Sequence, residues 1–428
     1  MVFIAILFVV LAIYSLVRLA PFHPVQLWSI PWSIAVTTYA AGLLPYIQLS
    51  LGAGAFLVAS QVAVVGGLLV AGRRRSDDQE LPPDAATPLR WAALAAVGLT
   101  AVGVLAFVIE ASTLFGLDRV LAASADVRQA IGGGDLAFSV KYVYLALAAT
   151  TLTAAKAGLA EDRRSRRGWL ALAAVSCATI YLATGRATLL SGLIAAFVAY
   201  FLFRARPVPR KNYLLGLGGG LIVALVAFLI GGLLVGKTFA NNTDLADLSP
   251  DVLAESNFRL LMPAYQYVSA PVAGLEVQYQ VSQDFGGSFG CATSPEACTI
   301  LSAAGLDVPT VERVRPFTGE PLIWNTFTAL DAPLVDWGPF LAPIVLLLVG
   351  VGMGVSWARA RRSVAAALIY AGLAPALALG FNSFAFTAPH LVAGCLIAVT
   401  LLAGARLATN RRADRGSVAP PATEPPPG

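Results

Sequence analysis

Long apolar runs separated by short polar breaks make up nearly the whole chain, and the pattern changes only once. Runs long enough to cross a hydrocarbon core of roughly 30 Å fall at Val2–Val17, Leu27–Tyr46, Leu51–Ala71, Trp91–Phe115, Phe138–Leu159, Trp169–Thr184, Ala187–Phe203, Tyr213–Val235, Gly338–Trp357, Val364–Gly380 and Leu391–Leu407. In lipid every backbone N–H and C=O must be paired within the chain, so these runs predict helices. The expected fold class is an all-α polytopic membrane protein of about 11 transmembrane helices (10–12). Pro31, Pro45, Pro343 and Pro375 mark kinks or short breaks. Gly216 and Gly218 to Gly220 allow close approach of neighbours. The first run has no basic segment before it and no small-residue cleavage site after it, so it reads as a span rather than a leader.

The exception is a polar stretch of roughly 100 residues, Lys237–Trp337. The chain thus divides into helices one to eight over 1–236, a large loop over 237–337, helices nine to eleven over 338–407 and a Pro-rich tail over 408–428 expected to be disordered. Within the loop, Ser249-Pro250-Asp251 has the form of a helix start: a cap, a first-turn proline and an acid at the positive end of the dipole. Val252, Leu253, Phe258, Leu260, Leu261, Tyr265 and Tyr267 follow at helical spacing and predict an amphipathic helix at the membrane surface. Pro271 is expected to break it, with a second short helix through Leu275 and Val277.

Composition narrows the class. The chain is 57% hydrophobic and 12% charged, with a mean hydropathy of +0.75, which excludes a soluble domain of this length. Charge gives the orientation. Arg18, Arg73 to Arg75, Arg90, Arg163, Arg164, Arg166, Arg167, Arg204, Arg206, Arg210, Lys211, Arg359, Arg361, Arg362, Arg406, Arg411, Arg412 and Arg415 all fall in alternate breaks or the tail, and they are 20 of the 29 basic residues. The positive-inside rule makes these segments cytoplasmic. The N-terminus and Lys237–Trp337 are then outside, the C-terminus inside, and the location is the cytoplasmic membrane. The net charge of +5 follows from this bias and gives no reason to expect a nucleic-acid partner.

Cys177 and Cys395 lie inside spans and read as small apolar core residues. Cys291 and Cys298, in GCATSPEAC, lie in the external loop, where thiols are oxidised. They predict a local disulfide that pins a short turn and constrains little else. No second Cys or His pair accompanies them, so no metal site is expected.

Four strings, HPVQLWSIPW opening the second span, TGRATLLSG between the sixth and seventh, YQYVSAPVAGLE in the external loop and NTFTALDAPLVDWG leading into the ninth, resemble the bacterial oligosaccharide repeat-unit polymerases, the Wzy-type O-antigen polymerases. The resemblance implies a lipid-dependent, GT-C-like glycosyltransferase. Such an enzyme joins polyprenyl-pyrophosphate-linked oligosaccharides at the outer face of the membrane, with no metal or other cofactor. It implies membrane lipid as surroundings and flippase and chain-length regulator proteins as partners. An O-antigen ligase-like enzyme has the same topology and differs only in its acceptor. A flippase or transporter would place ionisable residues near mid-bilayer and show internal repeats; the spans here are nearly free of central charge.

The chemistry asks for a cation on the pyrophosphate and a base for the acceptor hydroxyl. Arg186 is the first candidate. It sits in a hairpin with almost no loop, at headgroup depth, and its fork suits phosphate; it can equally be a snorkelling helix-end arginine. Asp336, just ahead of the ninth span, and His390, at the outer end of the last, are candidate bases. Asp336 can instead cap its helix. Glu276, Glu320 and Asp331 are further carboxylates in the loop. Arg259, Arg313 and Arg315 are candidate sugar or phosphate ligands, while Asn325 and Thr328 either bind sugar or shape a turn.

Overall fold

The structure is a computed structural model that describes residues 1–44, 46–72, 85–121, 127, 130–131, 135–136, 139–183, 186–204, 209–220, 222, 256–282, 288, 290–309, 328–360 and 362–417. Among them there is no strand. The helices are α1 (Val2–Arg18), α2 (Pro24–Ala40), α3 (Leu51–Gly72), α4 (Ala86–Phe115), α5 (Leu117–Leu121), α6 (Tyr142–Leu159), α7 (Arg163–Ala183), α8 (Arg186–Leu202), α9 (Ser256–Val281), α10 (Pro295–Ala303), α11 (Asp331–Ala360), α12 (Val364–Ala378) and α13 (Pro389–Ser417). Four of these are long and apolar enough to cross a membrane: α3, α4, α11 and α13 up to Arg411. Three more, α1, α8 and α12, are apolar but shorter.

Several boundaries differ from the apolar pattern, each for a local reason. The second run is helical only over α2. His23 caps it, Nδ1 accepting from Val25 N–H at 3.3 Å, and Pro24 takes the first-turn position where its missing N–H costs nothing. Residues 41–44 and 46–50 are outside any helix, where the apolar pattern predicts the end of a span. At the other end of the chain α13 continues to Ser417, so residues 408–417 are helical and not part of a disordered tail. The eighth run is helical over 210–220; the rest of it, and the Ser249-Pro250-Asp251 start, lie outside the described residues. The apolar residues from Phe258 to Tyr267 do fall on a helix, α9.

Pro271 does not end α9, which runs through it without a break. A proline inside a helix orphans the carbonyl four residues earlier. That carbonyl, Tyr267 C=O, accepts instead from Asn382 Nδ2 at 3.4 Å. A side chain from a distant loop supplies the bond the ring removed.

The bundle is held by close backbone approach. In lipid there is no hydrophobic force between helices, so association rests on packing and small residues. α3 and α11 run parallel and meet at Gly67, Gly350 and Gly354. A β-carbon on Gly350 would lie 2.5 Å from Val64 O, and one on Gly67 2.5 Å from Leu347 O. α6 is the buried centre: fourteen of its eighteen residues are buried, mostly Ala, Thr and Leu. It packs against α4, α7, α8 and α13.

The contacts define two poles. At one, Arg210 donates to Val17 O, Arg166 to Ala160 O at 2.8 Å, and His23 packs edge-on to Trp357. The basic residues Arg18, Arg163, Arg164, Arg167, Arg204, Arg359 and Arg362 border these same helix ends. At the other pole gather the 41–50 loop, α9, the cysteine turn, residues 328–338 and residues 379–389.

Candidate functional site

The second pole is built on two buried carboxylates. Cys291 and Cys298 are disulfide-bonded, with Cα atoms 5.5 Å apart, and close a turn between residues 290 and 294 and the start of α10. The Asp336 carboxylate accepts from Ala292 N–H at 3.0 Å, from Thr293 N–H at 2.6 Å and from the Thr293 hydroxyl. The Thr387 hydroxyl donates to Thr293 C=O, and Ser288 Oγ donates to Val335 C=O at 3.4 Å. The turn therefore ties the head of α11 to the segment entering α13. It constrains far more than the few residues inside the disulfide loop, contrary to the expectation from spacing alone.

Asp336 is fully buried, and its two oxygens accept from three donors, one on Oδ1 and two on Oδ2. The structure shows it as a clamp on the cysteine turn, with its bonds running there and not to the first turn of its own helix. The cap position is elsewhere: α11 starts at Asp331 and breaks at Gly338, whose φ of 66° and ψ of 176° only glycine adopts freely. Pro339 then opens the apolar part of the helix in the position where proline is tolerated.

Thr328 is buried. Its hydroxyl donates to Asp331 Oδ2 at 3.2 Å and accepts from Leu330 N–H at 3.2 Å, so it shapes the turn that begins α11.

Glu276 is the second carboxylate. It is buried on α9, and Oε2 accepts from Ser50 N–H at 2.7 Å while Oε1 accepts from Gln280 at 2.7 Å. Ser50 in turn caps α3, accepting from Ala53 N–H at 3.2 Å. Glu276 thus sets a negative charge at the positive end of a membrane-length helix. Tyr265 Oη donates to Thr38 C=O at 2.7 Å and accepts from Leu43 N–H at 3.1 Å; Ser269 Oγ lies 3.0 Å from Tyr46 Oη. Burial raises the Tyr46 phenol above its ordinary range, so it remains a proton donor at any physiological pH. These bonds hold α9 across the ends of α2 and α3.

Arg186 is the first residue of α8, at the α7–α8 hairpin. That hairpin belongs to the second pole. Tyr142, at the start of α6, donates to Thr179 C=O near the end of α7 at 2.7 Å, and Gly394 of α13 packs against Tyr144 and Leu147 of α6. His390 is the second residue of α13, half-buried and three residues beyond Thr387. Arg259 lies on α9. Arg313, Arg315, Glu320 and Asn325 lie outside the described residues. The structure thus places the Arg186 backbone, the His390 backbone and both carboxylate clamps at one pole. Among the described residues no group of three or more His, Cys, Asp or Glu side chains gathers to hold a metal.

The linking residues Thr293, Thr387, Asn382 and Ser50 carried no signal in the sequence, and Tyr265 only that of a helix face. Their partners lie between 43 and 227 positions away, and no local spacing encodes such a pairing.

No family model, no curated protein and no solved structure matches this chain.

Proposed function

We propose that this chain is a lipid-dependent membrane glycosyltransferase. It polymerises polyprenyl-pyrophosphate-linked oligosaccharide repeat units into a surface polysaccharide at the outer face of the cytoplasmic membrane. The reading takes eleven spans in a GT-C-like bundle, with the N-terminus outside and the C-terminus cytoplasmic. The second pole is then the outer face, and the arginine-bordered pole is the inner one.

The observation that carries the proposal is Arg186 at the start of α8, in a hairpin two residues long between apolar helices, on the pole where the external segments collect. A guanidinium there meets a diphosphate at headgroup depth, and its planar fork offsets the charge that develops as the carrier leaves. In this reading the cations Arg259, Arg313 and Arg315, and Asn325, serve the sugar or phosphate. With Asp336 engaged by three donors from the cysteine turn, we take His390, half-buried at the head of α13, as the base for the acceptor hydroxyl. α9 and the cysteine turn form the frame that holds the acceptor and donor units against the membrane.

Arg186→Ala is expected to abolish long-chain polysaccharide on a gel of surface glycans, while the protein inserts at the wild-type level. Wild-type chain lengths from that variant overturn the reading. Arg186→Lys tests the fork: partial loss means the bidentate geometry matters, full rescue that only charge does. Cysteine labelling of 237–337 from the cytoplasmic side also overturns it, because no exported substrate would meet a cytoplasmic loop.

A further inference from the structure

The segment Ala297–Leu306 carries no charged residue; Glu296 precedes it and Asp307 follows it. It forms the outer part of α10 and the turn that ends it. Gly305, at φ 87°, closes the helix, with Leu306 N–H donating to Leu301 C=O at 3.1 Å and Ala304 N–H to Ile300 C=O at 3.0 Å. This closed turn projects its apolar side chains instead of packing them. Ile300 is 69% exposed, Leu301 40% and Leu306 55%, and every residue from Thr299 to Asp307 is exposed. Three large apolar side chains on one protruding turn form a patch that water does not favour.

The base of this projection is fixed. Cys298, buried, is bonded to Cys291, and the neighbouring Thr293 is tied to Asp336 and Thr387. Asp336 stands four residues before Phe340, which is 88% exposed and begins the outward apolar face of the membrane-length part of α11, continued by Leu341 and Ile344. Thr387 stands two residues before α13, whose Val392 and Leu396 are likewise exposed. The projection is therefore rooted at the heads of two membrane-length helices, at the edge of the apolar band those helices turn outward. A charge-free tip at that level matches the headgroup–acyl boundary, where apolar side chains are buried without a protein partner.

We infer that the α10 tip, through Ile300, Leu301 and Leu306, is a membrane-surface anchor that inserts into the bilayer and fixes the height of the cysteine turn above it. The occupant of this apolar face is lipid. The inference is independent of the glycosyltransferase reading and needs only that α11 and α13 span a bilayer.

The full-length protein is reconstituted in vesicles of phosphatidylethanolamine and phosphatidylglycerol containing a lipid with a photoactivatable diazirine in its acyl chain. After illumination, adducts are mapped by mass spectrometry. Lipid adducts on Ile300, Leu301 or Leu306, together with adducts on the Phe340–Leu348 face, are expected. In the Ile300→Asp/Leu301→Asp/Leu306→Asp variant, adducts on the tip should fall about tenfold while those on Phe340–Leu348 persist. An intact Cys291–Cys298 bond in the variant shows that the turn still folds. Labelling of the Phe340–Leu348 face without labelling of the tip overturns the inference. So does a shorter-range crosslink that captures a second copy of the chain or residues 310–327 of the same chain on the tip.

Discussion

The α3–α11 seam and the cap at the second pole solve the same problem, holding two segments together, by opposite means. In the seam, backbone comes against backbone: Gly67 and Gly350 remove side chains so that carbonyls come close, and Gly354 leaves room for Ala71 and Leu68 O. In the cap, charged side chains do the joining. Asp336 grips the cysteine turn through three donors and Glu276 grips the Ser50 N–H that opens α3. The contrast follows from the solvent. Lipid offers no hydrophobic reward for packing two helices, so the seam depends on contact geometry. Near water, an irregular segment has unpaired N–H groups, and a carboxylate satisfies several at once with charge-assisted bonds.

The strongest way to break this contrast is in the seam. Gly350→Val places a side chain 2.5 Å from Val64 O, where the nearest neighbours are rigid backbone. We expect a loss of about 3 kcal/mol or more and no monodisperse protein by size-exclusion chromatography in detergent. Gly352→Val on the same helix meets nothing within 4 Å and should elute like the wild type. If both variants behave alike, close approach is not what joins α3 to α11.

The cap should be damaged less and unequally. Asp336→Ala strands three part-buried donors and is expected to cost about 3 kcal/mol, whereas Glu276→Ala strands one backbone N–H and a side-chain amide and should cost about 1–2 kcal/mol. The order is read from thermal unfolding of the purified variants. Asp336→Ala should also make the 290–298 turn a protease site, while Glu276→Ala should leave it resistant. A larger loss for Glu276 than for Asp336 would reverse the assignment of the main clamp.

The smallest effect belongs to the first pole. Asp162 caps α7, its Oδ2 accepting from Ser165 N–H at 2.7 Å. Backbone N–H bonds, first from Ser165 and then from Arg164, hold its carboxyl below the ordinary carboxylate value of 3.8. A depressed folded-state value means the stabilisation is present above the unfolded value and is lost as pH falls through the folded one. The wild type should therefore lose this small increment only below about pH 4, and Asp162→Ala should lack that part of the acid slope in melting temperature. An unchanged slope would show that the exposed cap contributes nothing.

How much of this was legible in the sequence depends on the range of each interaction. The apolar runs give helices because the signal repeats every turn within one segment. Cys291 and Cys298, seven positions apart, are bonded in the structure because a short chain brings them together whatever surrounds them. Pro271 was misread because a local rule says break, and the rule was overridden by Asn382, 111 positions away in sequence from the proline. The partners of Asp336 lie out of local reach for the same reason: its flanking DWG suggests a cap or a base, and nothing near it announces Ala292 and Thr293. Arg186 stood out from its hairpin alone, because a single cation between two apolar runs is itself the signal.

The sequence by itself determined the class of this protein: a chain of membrane-length apolar helices, with a long polar segment and a pair of cysteines able to close a turn. Those features are written in composition and in short periods, and each segment carries its own free-energy preference for helix and for lipid. Only the tertiary structure decided which buried carboxylates are clamps, which proline a helix tolerates and which apolar tip is left uncovered. Those outcomes turn on hydrogen bonds between residues far apart in sequence, and such a bond exists only once the whole chain has brought its donor and acceptor within about 3 Å.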